Sequence, residues 1–96
     1  MASDTQKLRT QMSLIMAGVA EFGSAQNAMD RGFDDAAAGL EQRGHDYIRS
    51  AFRNAPELQT MLPVLWSKVV SGDNLADEGF AIRKEVEAAL ARLPAG

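Results

Sequence analysis

The stretch that decides the fold is residues 8–40, LRTQMSLIMAGVAEFGSAQNAMDRGFDDAAAGL. Along it, mostly apolar residues are spaced alternately by four and three positions: Leu8, Met12, Ile15, Val19, Phe22, Gln26, Met29, Phe33, Ala36 and Leu40. This spacing places all of them on one narrow stripe of an α-helix, which is the seam geometry of coiled coils and helical bundles. Such a seam needs a partner helix, which the same chain, a second copy or another protein can supply.

The rest of the chain also favours helices, since alanine is abundant and β-branched residues never alternate with polar ones. Residues 54–57 (NAPE) combine a capping asparagine with a first-turn proline, which predicts a helix start. Pro63 interrupts the apolar pattern that follows, so we expect a kink there, or a split into a short turn and a second helix. Residues 71–74 (SGDN) predict a turn, and a last helix should run from Leu75 to about Arg92.

Two interpretations of residues 4–53 remain open. The alternating four-and-three spacing of the seam continues without a shift across Gly23, as it would in one long helix. A glycine inside a helix costs only about 1 kcal/mol of stability relative to alanine, so a continuous helix is allowed. However, Gly23-Ser24 is a compact stop-and-start signal, and a helix of about 40 residues is unusual in a small domain. We therefore favour a first helix that ends near Phe22, with Gly23 and Gly44 as helix ends.

Small residues also recur every seven positions, each immediately before a seam position: Gly18, Ala25, Gly32 and Gly39. Such a column allows a neighbouring helix backbone to approach closely. The alternative is that these glycines are unrelated helix breakers, and the pattern alone favours neither interpretation.

Length and charge narrow the classes of function. A chain of 96 residues predicts a single domain, 1–96, small enough that association would add stability. Its net charge of −3 argues against a surface for nucleic-acid phosphates, and the absence of cysteine excludes a disulfide scaffold.

The longest apolar stretch, Met12–Ala20, falls far short of the roughly 20 residues that span a membrane. It follows Lys7 and Arg9 as in a signal peptide, but we expect a core helix and a cytoplasmic protein.

No residue pattern predicts catalysis or a cofactor. His45 is the only histidine, and nothing brings it together with Asp46 or Ser50 in a catalytic arrangement, so we expect it to face solvent near a helix boundary. The acidic pairs at 34–35 and 77–78 fall where carboxylates complement a helix dipole. We expect no enzyme, no cofactor and no metal site.

The first helix carries the strongest signal for interaction with other proteins. Leu14 lies outside the arc of the seam and Met16 extends one edge of it, so this helix is apolar on more than one side. Trp66 lies at the edge of its own apolar face, where a tryptophan serves either the core or an interface. The residues expected at a partner or dimer surface are Leu8, Met12, Leu14, Ile15, Met16, Val19, Phe22, Met29, Phe33 and Trp66.

The sequence thus predicts an all-α domain, a small bundle of four or five helices with a long N-terminal heptad-like seam, assembled as a homodimer. Its expected function is to bind another protein and to sequester or inhibit it, as anti-activators of transcription regulators do. A structural or assembly component, such as a secretion chaperone or phage assembly factor, is the alternative. A helix-turn-helix DNA-binding regulator is the third, although residues 74–78 (NLADE) at the start of its recognition helix would repel the DNA backbone.

Overall fold

Two long helices form the frame of the molecule in the computed structural model, which describes residues 2–94. Over these residues the chain forms five α-helices and no strand. The helices are α1 (Ala2–Asp30), α2 (Asp34–Asn54), α3 (Leu58–Met61), α4 (Pro63–Ser71) and α5 (Gly79–Arg92), with a 3-10 turn (Ala76–Glu78) before α5. The prediction of an all-helical domain is therefore confirmed.

The frame is antiparallel. Near one end of α1, the Asn54 side chain donates a hydrogen bond of 3.0 Å to Gln11, and at mid-helix Gly18 lies against Gly44. Helix α5 also runs antiparallel to α1: it begins beside Val19, and beyond its end Arg9 bonds the carbonyl of Pro94 at 2.9 Å.

α1 continues through Gly23, so the predicted helix end there is wrong. The chain reverses instead at Gly32, whose φ of +82° places it in the left-handed region. The Gly32 N–H donates to the Met29 carbonyl at 2.9 Å and the Phe33 N–H donates to the Ala28 carbonyl at 2.8 Å, which is a Schellman motif. At Gly23 the loss of about 1 kcal/mol in helix propensity is outweighed by packing on both sides of it.

α2 likewise continues through Gly44, so the second predicted helix end is also wrong. An added Cβ at Gly18 would lie 2.7 Å from the Gly44 carbonyl oxygen, and one at Gly44 would lie 2.8 Å from the Gly18 oxygen. Of the predicted small-residue column, Gly18 and the buried Ala25 lie in the interior, whereas Gly32 forms the turn and Gly39 has open space around it.

Pro63 splits the following segment into a single turn, α3, and a second helix, α4, as the sequence predicted. Pro63 is the first residue of α4, where its missing N–H costs nothing. The next two N–H groups, of Val64 and Leu65, donate to the carboxylate oxygens of Glu85 in α5 at 3.0 and 2.9 Å. Asn54 does not cap α3, since it ends α2 and its side chain binds Gln11.

The core lies between the α1–α2 frame and a second layer made of α3, α4 and α5. Its residues are Met12, Ile15, Val19, Phe22, Ile48, Ala51, Phe52, Ala55, Leu58, Leu62, Leu65, Leu75, Ile82, Val86 and Ala89. Between Phe22 and Ile48 no described residue belongs to this cluster. We call that end of the frame, residues 23–43, the hairpin tip. It is a two-helix extension of a molecule that measures 47 × 26 × 20 Å.

Candidate functional site

The structure divides the residues expected at a partner or dimer surface into three groups. Met12, Ile15, Val19 and Phe22 are buried in the core of this chain, so they form no exposed surface in this structure. The physical reason is that the same chain supplies the partner helices for this half of the seam. Four others, Leu8, Leu14, Met16 and Trp66, are partly buried and pack against that core. Met29 and Phe33, on the hairpin tip, are 43% and 59% exposed.

Trp66 lines an open groove between α2 and α4, which we call the Trp66 groove. Its lining residues are Arg49, Phe52, Arg53, Pro56, Gln59, Trp66 and Val69, and its volume is about 340 Å³. The Trp66 ring lies against Phe52 with a centroid distance of 5.0 Å and a tilt of 44°. Phe52 is itself buried in the core, so the floor of the groove is held rigidly by packing.

Positive charge borders this apolar floor. Arg49 and Arg53 are both exposed, lie one turn apart on α2, and have no carboxylate beside them among the residues that line the groove. The Arg49 guanidinium is 3.5 Å from Asp46, but both side chains are exposed and such pairs contribute little. Arg53 donates to the Ser50 hydroxyl at 3.0 Å. Both guanidinium groups therefore retain donors for an external carboxylate.

His45 has a structural role, and the expectation that it faces solvent near a helix boundary is wrong. It lies in the middle of α2, and its Nε2 accepts a hydrogen bond of 3.0 Å from the Leu75 N–H. With Nε2 as an acceptor, Nδ1 carries the proton and donates to the Glu41 carbonyl at 2.8 Å. Because both ring nitrogens are occupied, neither is free to act as a general base in this arrangement.

Two other depressions have mixed polarity. A cavity of about 360 Å³ beside His45 is lined mainly by polar groups, including Glu41, Arg49 and Asp73. A groove of about 410 Å³ lies beside Phe80, which is 74% exposed, and its rim carries both Asp77 and Arg83. Because this rim carries both a negative and a positive side chain, it does not favour ligands of either charge. Over residues 2–94, no group of three or more histidine or acidic side chains is arranged to hold a metal ion.

The acidic pairs have the surroundings expected for helix starts. Asp34 and Asp35 lie in the first turn of α2, while Asp77 and Glu78 lie in the 3-10 turn just before α5. Glu78 also forms an ion pair of 2.7 Å with Lys68 of α4. Helix α5 begins directly after this turn, at Gly79. Its start is four residues later than the start at Leu75 that the sequence predicted.

None of the helices in the described range is long and apolar enough to cross a membrane. Comparison with protein-family profiles, with curated proteins and with solved structures finds no match for this chain.

The sequence pattern indicated Trp66 as an interface candidate, but it did not indicate the other residues that line the Trp66 groove. Arg49, Arg53 and Gln59 were not selected, although two arginines four positions apart on either side of Phe52 are a visible signal. That spacing puts the two cations on one face of the helix, one turn apart. What the sequence does not contain is the position of α4, which forms the opposite wall.

Proposed function

We propose that this chain is a small helical regulator that binds another protein and sequesters or blocks it. The observation that carries the proposal is the position of Trp66, the only tryptophan, which is partly exposed in an open apolar groove. Tryptophan and arginine are the residue types that most often dominate the free energy of protein–protein binding, and here they line one groove.

The groove has the properties of a preformed anchoring pocket. Its floor is built on Phe52 and its far wall on α4, and both belong to the packed core, so little order has to be created when a partner binds. A volume of about 340 Å³ is near the lower end of the range for ligand sites. That size suits one or two anchoring side chains from a protein segment.

A site-specific photo-crosslinking experiment tests this function. A photoreactive phenylalanine analogue replaces Gln59, which is exposed and lines the groove, and in a control protein it replaces Glu87, which is exposed on α5. In an extract of the source organism, we expect a discrete protein adduct from the Gln59 position that is absent from the Glu87 position. No adduct at Gln59, or the same products from both positions, would show that the groove is not a protein-binding site.

The identity of the adduct separates the candidate classes. A transcription regulator or another control protein as the adduct supports a sequestering regulator. A component of a secretion system or of a virion instead supports the structural and assembly alternative.

A further inference from the structure

We infer that the Trp66 groove takes an acidic amphipathic segment of its protein partner, with a bulky apolar side chain in the groove and carboxylates on Arg49 and Arg53. This inference rests on the proposed function and deepens it by naming the chemistry of the partner. The juxtaposition that carries it is an apolar, aromatic floor bordered by two exposed guanidinium groups.

The spacing of the two cations matches the spacing of side chains on a peptide. Arg49 and Arg53 are four residues apart on α2, which is about 6 Å along the helix axis. Carboxylates at positions i and i+4 of a helical segment have the same separation, and so do those at i and i+2 of an extended one. Arginine binds carboxylates through two parallel hydrogen bonds, so this match gives orientation as well as attraction.

The charge of the groove is opposite to that of the whole chain. The protein carries 13 acidic and 10 basic residues, yet the groove has two arginines and no carboxylate among its lining residues. Arg49 has one carboxylate within ion-pair distance, the exposed Asp46 at 3.5 Å, and Arg53 contacts only the neutral Ser50 hydroxyl among the hydrogen bonds observed. An incoming carboxylate therefore displaces weak contacts rather than strong ones.

The only tryptophan of the chain provides the readout, because Trp66 lies in the groove itself. The probe is a short synthetic amphipathic peptide without tryptophan, which carries leucine and phenylalanine on one face and aspartate and glutamate beside them. A matched peptide has lysine in place of every acidic residue. We expect a saturable change in Trp66 fluorescence with the acidic peptide and an affinity about tenfold weaker for the lysine peptide.

Charge reversal then tests the two arginines. In the double variant Arg49→Glu/Arg53→Glu, the acidic peptide should bind about tenfold or more weakly. The control double variant Arg31→Glu/Arg83→Glu makes the same change in net charge at exposed positions outside the groove, and its affinity should match the wild type. Circular dichroism melting of both variants confirms that each is folded before binding is compared.

Three results would overturn the inference: equal affinity for the acidic and lysine peptides, no fluorescence change with either, or equal losses in the two double variants. A second copy of this chain as the Gln59 adduct would also overturn it, because the occupant would then be the protein itself. If another protein forms the adduct while the acidic peptide fails to bind, the proposed function stands and only the partner chemistry is wrong. If both experiments fail, the proposed function fails as well.

Discussion

At Gly18 and Gly44 the backbones of α1 and α2 come into direct contact, so a side chain at either position has no room. A methyl group at Gly44 would lie 2.6 Å from Phe22 Cε1 and 2.8 Å from the Gly18 carbonyl oxygen. Neither neighbour can move freely, since Phe22 is a core residue and Gly18 is part of α1. The closest approach of the two long helices therefore depends on the absence of two Cβ atoms.

Gly44→Ala should lower the free energy of unfolding by about 1–3 kcal/mol, because overpacking forces the two helices apart. Gly39→Ala is the matched control in the same helix, where the added methyl has no contact within 4 Å apart from the adjacent backbone of its own helix. It should raise the stability by about 0.5–1 kcal/mol through helix propensity alone. Urea unfolding of both variants measures the difference, and a stabilising effect at both positions would contradict the observed helix contact.

His45 is the residue that ties the turn before α5 to the long frame. Replacing it by leucine removes the acceptor of the Leu75 N–H, which belongs to a residue that is only 2% exposed. An unpaired buried donor costs about 1–3 kcal/mol, and we expect that loss in urea unfolding of His45→Leu. His45→Gln, which restores a side-chain acceptor, should lose less.

Amide hydrogen exchange at Leu75 reports on this bond directly. In His45→Leu the Leu75 amide should exchange faster than in the wild type, while amides in the middle of α1 keep their protection. Unchanged protection at Leu75 would mean that a group other than His45 accepts its hydrogen.

At the scale of elements, α4 is a short helix whose first turn is completed by another helix. Glu85 of α5 accepts from both the Val64 and the Leu65 N–H groups, so one carboxylate caps α4 and joins it to α5. This arrangement replaces the local side-chain cap that α4 lacks. A negative charge at this position also complements the positive end of the helix dipole.

Glu85→Ala should therefore destabilise the protein by about 1–2 kcal/mol, as the loss of a helix cap does. Glu87→Ala, two positions further along α5 and exposed, is the control and should change the stability by less than about 0.5 kcal/mol. Thermal unfolding followed by circular dichroism compares the two. Equal effects would assign the loss at Glu85 to helix α5 itself rather than to the cap on α4.

At the scale of the whole molecule, the seam is used in two different ways. Its first half, up to Phe22, packs against other helices of the same chain. Its second half lies on the hairpin tip, where Met29 and Phe33 are exposed. In the predicted homodimer, the hairpin tip is therefore the part of the seam that can contact the second copy. Exposed apolar side chains at the end of α1 and in the turn that follows it are a surface that association would cover.

Light scattering at micromolar concentration should give twice the monomer mass of 10.4 kDa. Phe33→Asp should shift the protein to the monomer, because it places a charge in the expected contact. The control is Phe80→Asp, at an even more exposed residue off the seam, which should remain dimeric. A mass of 10.4 kDa for the wild type would rule the homodimer out.

The sequence by itself determined the features that depend on local chemistry. The period of the apolar residues specified helices, and the fixed φ of Pro63 together with its missing N–H predicted a kink or a split at the position where α4 begins. The sequence also predicted a core face of Leu58, Leu62, Leu65 and Val69. The three leucines are buried, whereas Val69 is only partly buried and packs against the core. Trp66 was selected as a core or interface residue from its position at the edge of that pattern.

The tertiary structure decided everything that depends on residues far apart in the chain. Gly23 and Gly44 carry the same local signal for a helix end, yet packing worth more than about 1 kcal/mol keeps both inside helices. His45 became a structural anchor because Leu75 lies 30 residues away with an N–H that needs an acceptor. The Trp66 groove likewise exists because α4 packs against α2, and no periodicity encodes where two distant helices meet.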